Sequence, residues 1–394
     1  MNKNVLILVF LLVAAAAVGA GLFLKKGDNS TPQSRPSKAE NTAEKPKGVG
    51  PIAVIPKGTT HSFWNSVLAG AQKAAKEHDV AIFWTGPDRE GDREKQIQIV
   101  EDFIVKKVAG IVLAPTDAGA LVPVVERAAA AKIPVVIIDS DIETDKRVSF
   151  VATDNYAGGA LAAKHMAKLL GGKGKVAVIK YMAGSASTTA RENGFIETLK
   201  KGFPEIMLVE DRYGMDTVET ALSAAEDVLT RHKELDGIFA CNESTSRGAL
   251  RALESQGRAG AVKMIGFDAA DSLLKGLEAG RIDALVIQNP QAMGYKGVSS
   301  AVAAIKGESV KARIDTGVEL VTKDRLNSPE IRALIGSEGR WSCTRESSLP
   351  SLPSRCRGSV RALAPSRPSK MSRYASCRGR FTPWWAKTAL ANPL

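Results

Sequence analysis

The stretch that decides the fold is IAVIPKGTTHSFWNSVLAGAQKAAKE, residues 52–77. Ile52, Ala53, Val54 and Ile55 form an apolar run that ends at Pro56, and a polar loop of residues 57–62 follows. From Phe63 the apolar positions change period, so that Val67, Ala71, Ala74 and Ala75 share one helical stripe. Apolar run, polar loop and amphipathic helix together read as the first βα unit of a parallel sheet. In open sheets of this kind ligands sit beyond the carboxyl ends of the strands, where loop side chains and helix N-termini face a crevice. His61, Phe63 and Trp64 stand at that place. Only 5% of the chain is aromatic, so two adjacent rings at a loop-to-helix junction are either core or a platform for a ligand.

Outward from this unit the pattern repeats. Short apolar runs at residues 80–84, 110–114, 135–138 and 149–152 alternate with helical stretches at 93–107 and 120–131. A second set follows a helix at 155–170: runs at 176–181, 207–209, 237–241, 264–267 and 285–288, with helices clearest at 219–231 and 244–256. Continuous apolar runs mark strands buried on both faces, as parallel sheets require. The spacing predicts an α/β chain of two consecutive doubly wound lobes. Asn289-Pro290 opens a helix over 291–306, residues 317–321 form a last strand, and Asn327-Ser328-Pro329 starts a final helix. The glycine-rich stretch 171–175 is a turn from helix into strand. A phosphate loop runs the other way, from strand into helix.

The chain has 394 residues, 44% hydrophobic and 24% charged, which gives room for two cores. Its formal charge of +12 invites a nucleic-acid reading, yet residues 336–394 hold eleven Lys or Arg against two acids. The remainder is near balance, so no phosphate-binding surface and no nucleic-acid partner are expected. Three of the four cysteines lie in the same tail, and Cys241 is left alone in the core, with no Cys/His spacing for a metal.

Nearly every strand ends in a polar group: Asp139, Asp154 with Asn155, Asn242, Asp268 and Gln288, while Arg191 opens a helix in SASTTAREN. Taken singly such residues are turn formers or caps. As a set they are flat groups able to make paired hydrogen bonds to adjacent hydroxyls, and an aromatic face covers the C–H side of a sugar ring. The combination describes a polyol site. Catalysis is poorly provided for, since the four histidines include no nucleophile-base arrangement and no Gly-x-Ser-x-Gly or His-Glu-x-x-His motif occurs. Asp139 and Asp268 could in principle pair across a cleft as glycosidase carboxylates do, but their neighbours point to hydrogen bonding. No catalytic residue, metal or cofactor is expected.

HSFWNSVLAGAQKAAKE, GIVLAPTDAGAL, IPVVIIDSD, FVATDNYAGG, ARENGF, GIFACNESTSRGALRAL, MIGFDA and VIQNPQAMGYKGV together carry a resemblance. Over residues 49–335 the chain resembles the periplasmic sugar-binding proteins of ABC transporters related to ribose-binding protein, whose core is shared with LacI-type repressors. The resemblance implies two Rossmann-like lobes with parallel sheets, joined by a three-crossing hinge and closing on one monosaccharide. Phe63 and Trp64 would be the stacking rings, and Asp139, Arg191, Asn242, Asp268 and Gln288 the hydroxyl partners. His61 and Ser140 stand where ribose-type members carry Asn and Arg, which removes a bidentate guanidinium from the site. The crossings fall near 153–154, 288–290 and 317–318, with Thr153, Asp154 and Asn289 as hinge residues. One lobe is then 49–153 plus 290–317, the other 154–289 plus 318–335. An aromatic wall in the second lobe is also usual among such proteins, and the residues near 213–216 do not assign it. A monomer that docks, closed, on a membrane permease is implied. The alternative is a sensor ectodomain handing a small polyol or signalling molecule to a chemoreceptor or kinase.

The two ends are read separately. Residues 5–24 are an apolar run after Lys3 and before Lys25-Lys26, a signal peptide or membrane anchor that marks the chain for export to the periplasm or cell surface. Residues 25–48 lack large apolar side chains and form a flexible linker. Residues 336–394 read as a disordered basic tail, either an arm for nucleic acid or, the favoured reading, a stretch translated out of frame. Codons shifted by one position would permit a Gly-x-x-x-x-Gly-Lys-Ser loop there, of the kind that opens a transporter ATPase.

Overall fold

A computed structural model describes residues 48–335; the leader, the linker up to residue 47 and the tail lie outside the described residues. From the amino end the chain forms β1 (Ile52–Ile55), α1 (Ser62–Glu77), β2 (Ile82–Trp84), α2 (Arg93–Val105), β3 (Gly110–Leu113), α3 (Val122–Ala130), β4 (Val135–Ile138) and β5 (Ser149–Ala152). It continues as α4 (Asn155–Leu169), β6 (Gly174–Lys180), α5 (Ala186–Gly202), β7 (Ile206–Tyr213), α6 (Val218–Arg231), β8 (Gly237–Ala240), α7 (Glu243–Ser255), β9 (Lys263–Phe267), α8 (Asp271–Glu278) and β10 (Ala284–Gln288). Then come α9 (Pro290–Ile305), β11 (Arg313–Asp315), β12 (Val318–Val321) and α10 (Pro329–Ile335).

Two six-stranded sheets result, in the orders β11-β5-β4-β3-β1-β2 and β12-β10-β9-β8-β6-β7. Alternation along each strand sends neighbouring residues to opposite faces. In β1, Ile52 and Val54 join the layer of α1 and α9, while Ala53 and Ile55 join that of α2 and α3. The second sheet repeats this: Ala177 and Ile179 face α6, α7 and α8, and Val176 and Val178 face α4 and α5. Each lobe is therefore a sheet between two helical layers, held mainly by burial of Val, Ile and Leu at roughly 1.5–3 kcal/mol per side chain.

Four features depart from the sequence expectation. β12 pairs antiparallel with β10, Gln288 facing Val318, because the chain re-enters the second lobe directly from the neighbouring strand instead of through a crossover helix. β11 was not foreseen; it is a three-residue edge strand with charged ends and carries no apolar signal. β7 runs to Tyr213 and not merely to 209, since an edge strand keeps its ladder through polar residues. Arg191 lies in the second turn of α5, which begins at Ala186, and not at its start.

Each lobe has a helix crossing at which glycines on both helices leave no room for a side chain. A Cβ on Gly70 of α1 would sit 1.9 Å from Gln291 O, and one on Gly294 of α9 would sit 1.9 Å from Val67 O. The crossing of α4 and α5 repeats the arrangement with Gly159 and Gly194. Gly294→Ala should therefore push α9 off the sheet and destabilise the first lobe by about 3 kcal/mol. Urea unfolding reads this, and a loss below about 1 kcal/mol would contradict the packing.

Candidate functional site

The carboxyl ends of β1, β4, β6, β8, β9 and β10 converge between the lobes on a cavity of about 30 Å³. His61, Phe63, Trp64, Asp139, Arg191, Asn242, Asp268 and Gln288 all line it. A wider groove of about 710 Å³ adjoins and shares Phe63, Glu243, Asp268 and Gln288 with it. Ser140 is the exception among the expected residues. It is absent from the lining and accepts a bond from Ser187 N at 3.1 Å across the cleft.

Both rings stand at once against the core of the first lobe and in the lining of the cavity. Trp64 is 2% exposed and belongs to the core of the first lobe, yet it also lines the cavity. Phe63 meets it edge to face, ring centroids 4.9 Å apart. Asp139 and Asp268 both adopt left-handed backbone, φ 60° and 72°, immediately after β4 and β9. That conformation is costly for a non-glycine residue and turns each carboxylate off the strand axis. Asp139 pairs with Lys57 at 3.0 Å, and Arg191 Nη2 lies 4.0 Å from it. Arg191 also donates to Asn155 Oδ1 and Cys241 O and lies 4.0 Å above the Phe267 ring. Gln288 Nε2 donates to Asp268 Oδ1 at 2.7 Å, and the buried Gln288 Oε1 has no hydrogen-bond partner. Burial raises Asp268 to about 6, against the pull of Arg191 and Gln288 and with the push of Glu243 and Asp139. Asn242 spends its Oδ1 on capping α7, accepting from Thr245 N, while its side chain still lines the cavity.

Six lining residues escaped the sequence reading: Lys57, Glu90, Tyr181, Ser187, Thr188 and Glu243. Lys57 and Tyr181 follow β1 and β6 closely, so the rule that picked out polar strand ends would have found them had it been applied throughout. Tyr181 is the second-lobe aromatic group. Tyr213, in the stretch that left the wall unassigned, is 46% exposed, and Asp216 beside it pairs with Arg89. Glu90 lies in a loop without periodicity and carries no such signal.

The lobes are drawn together by bonds that cross the cleft. Lys57 Nζ donates to Ser187 Oγ at 3.0 Å and Tyr181 OH to Glu90 Oε2 at 2.8 Å. Glu243 at the start of α7 accepts from Ser62 Oγ at 2.9 Å and Phe63 N at 3.1 Å, placing a carboxylate on the N-terminus of α1. Farther out, Arg89 grips Asp216 through two nitrogens, and Ala118 N donates to Gly184 O at 2.9 Å. On the opposite side the chain passes between lobes three times. Asp154 and Asn289 cap α4 and α9 there, and Thr153 Oγ1 donates to Gly317 O at 3.2 Å.

Comparison with known proteins adds to this geometry. A family profile described as "Periplasmic binding protein domain" matches residues 52–309. The D-allose-binding periplasmic protein of Escherichia coli is 34% identical over 266 residues, 66% of this chain and 85% of that protein. The ribose import binding protein of the same organism is 30% identical over 274 residues, 69% of this chain and 90% of that protein. Among solved structures, an ABC transporter solute-binding protein from Agrobacterium vitis with bound D-fucose is 39% identical with a TM-score of 0.71, covering 73% of this chain and 100% of its own. A carbohydrate transporter solute-binding protein from Agrobacterium radiobacter in complex with D-arabinose is 37% identical, also with a TM-score of 0.71, covering 73% and 99%.

Gly184 provides a test of the cleft geometry. Its φ is +91°, and an added Cβ would lie 2.0 Å from Asp117 Oδ2 in the facing lobe. Gly184→Val should hold the lobes apart, so small-angle scattering should give a larger radius of gyration than wild type under identical conditions. Equal radii would show that this contact does not limit closure.

Proposed function

The chain belongs to the periplasmic binding protein family, and from that premise we propose that it is the exported binding component of a carbohydrate ABC importer. It captures a neutral monosaccharide between its lobes and delivers it to a membrane permease. It acts as a monomer and performs no reaction on its ligand. The apolar segment at residues 5–24 directs it out of the cytoplasm. Among the described residues no helix is long and apolar enough to cross a membrane.

The observation that carries the ligand class is the pairing of charge in the cavity. Lys57 meets Asp139, His61 meets Glu90, and Glu243 meets Arg247 at 3.3 Å. With Arg191 and Asp268 counted, four cations (Lys57, His61, Arg191 and Arg247) stand against four carboxylates (Glu90, Asp139, Glu243 and Asp268) among the described residues of the site, so a charged ligand meets no net charge to neutralise. Polar valence remains at Gln288 Oε1, and Asp268 bonds through only one of its oxygens among the described residues. Hydroxyl groups supply donors to both, and the Phe63 and Trp64 rings offer apolar faces. Relatives that bind ribose and allose, and neighbours solved with D-arabinose and D-fucose, support the same class.

A monosaccharide exceeds the 30 Å³ cavity, so capture requires the lobes to part and the polar groups to separate around the sugar. The ligand then replaces contacts between protein groups with contacts to itself, and it touches both lobes only when they close. The hinge at the crossings near 153–154, 288–290 and 317–318 absorbs the rotation.

Calorimetric or thermal-shift titration of the full chain against neutral aldoses, uronic acids and amino acids tests the reading. A neutral aldose at 100 times its Kd should add roughly 2.7 kcal/mol of stability, with uronates and amino acids adding none. Stabilisation by amino acids alone would overturn it. Asp268→Ala should weaken the stabilising aldose roughly 10- to 100-fold, the worth of a bond to a charged group. An unchanged Kd would remove Asp268 from the site.

A further inference from the structure

Glu90 is a buried carboxylate in the loop between β2 and α2, and its bonds all run to the protein itself. Oε1 accepts from His61 Nδ1 at 2.7 Å and from Trp64 Nε1 at 2.5 Å, and Oε2 accepts from Tyr181 OH at 2.8 Å. An ionised carboxylate only accepts, so Nδ1 carries a proton whether or not the ring is charged. What His61 offers a ligand is then decided at its other nitrogen. A charged ring donates from Nε2, and a neutral ring accepts there. The ring is buried and lines the cavity, and Nε2 has no hydrogen-bond partner among the described residues.

The surroundings bear on that choice from several elements. Glu90, Glu243 at the start of α7 and Asp268 after β9 favour a charged ring, while Lys57 after β1 balances Glu90. Burial pushes His61 down, but Glu90, Glu243 and Asp268 outweigh it and raise the ring to about 9. Burial likewise pushes Glu90 up, and His61, Lys57 and Trp64 bring it down to about 2. We propose that Glu90 is a positioning residue that keeps His61 an imidazolium, so that Nε2–H is a fixed donor in the cavity and the site selects a ligand with an acceptor oxygen at that corner. That oxygen is a ring ether or a hydroxyl; a ligand that turns an ammonium or amide N–H there is refused. The inference rests on the sugar-binding reading above and adds to it a rule about one position of the ligand.

Two measurements on the full chain test it. The first needs no ligand: the His61 ring nitrogens, assigned by comparison with His61→Asn, are followed by NMR from pH 5 to 10. Both nitrogens should stay protonated to pH 8 and lose a proton only near pH 9. Titration at or below the ordinary value near 6.5 overturns the proposal. The second is the Kd of the stabilising aldose against pH for wild type and Glu90→Gln. In the variant His61 and Trp64 both still donate to the amide oxygen, so the ring keeps its Nδ1 proton while losing its charge near neutrality. The variant-to-wild-type Kd ratio, in which the titration of Asp268 cancels, should rise at least 10-fold between pH 5.5 and 8. A ratio that stays constant would reduce Glu90 to a structural role and overturn the proposal. If wild type binds no neutral aldose at any pH, the sugar-binding reading fails, and the NMR titration still decides the state of His61.

Discussion

A charge taken out of water must be met by partners inside the protein, and this requirement governs the centre of the molecule. Leaving a buried carboxylate without donors costs several kcal/mol, so Glu90, Asp139, Glu243 and Asp268 each draw donors toward themselves. Some of those donors stand on the facing lobe: Tyr181 for Glu90, and Ser62 and the amide of Phe63 for Glu243. The same bonds that solvate the carboxylates therefore hold the lobes together. Closure and polar satisfaction are one process here, and a ligand able to take over these bonds can control closure.

The two lobes repeat one construction. Each is a sheet buried on both faces, with one pair of helices crossing at glycine contacts: Gly70 and Gly294 in the first, Gly159 and Gly194 in the second. Rigid packing of this kind leaves little internal freedom, so motion concentrates where the chain passes between lobes. It also presents strand ends as firm mounts. Lys57, Asp139, Tyr181, Asp268 and Gln288 all sit at or just beyond a strand end, on backbone that cannot drift without disturbing the core.

Strand ends were also what made much of the site legible beforehand. Asp139, Asn242, Asp268 and Gln288 could be named because each closes a continuous apolar run, and such runs are visible without any structure. Phe63 and Trp64 stood out by their rarity and their place at a loop-to-helix junction. Ser140 was named for its place beside Asp139, yet of the two only Asp139, in its left-handed turn, lines the cavity, and Ser140 accepts from Ser187 N across the cleft. Glu90 was invisible because nothing in GPDREGD distinguishes a buried acid from the solvated ones beside it.

Local periodicity alone determined the α/β class, the two lobes and most strand positions, because burial on both faces of a sheet leaves a mark on every residue of a strand. Only the tertiary structure decided which polar groups meet across the cleft, that Tyr181 is the ring the second lobe brings to the cavity, and that Glu90 holds His61. Those are contacts between residues separated by 29 to 181 positions. The bonds across the cleft depend on how the two sheets face one another, and the Glu90–His61 bond on how two loops of one lobe meet; a single chain's local pattern contains no record of either.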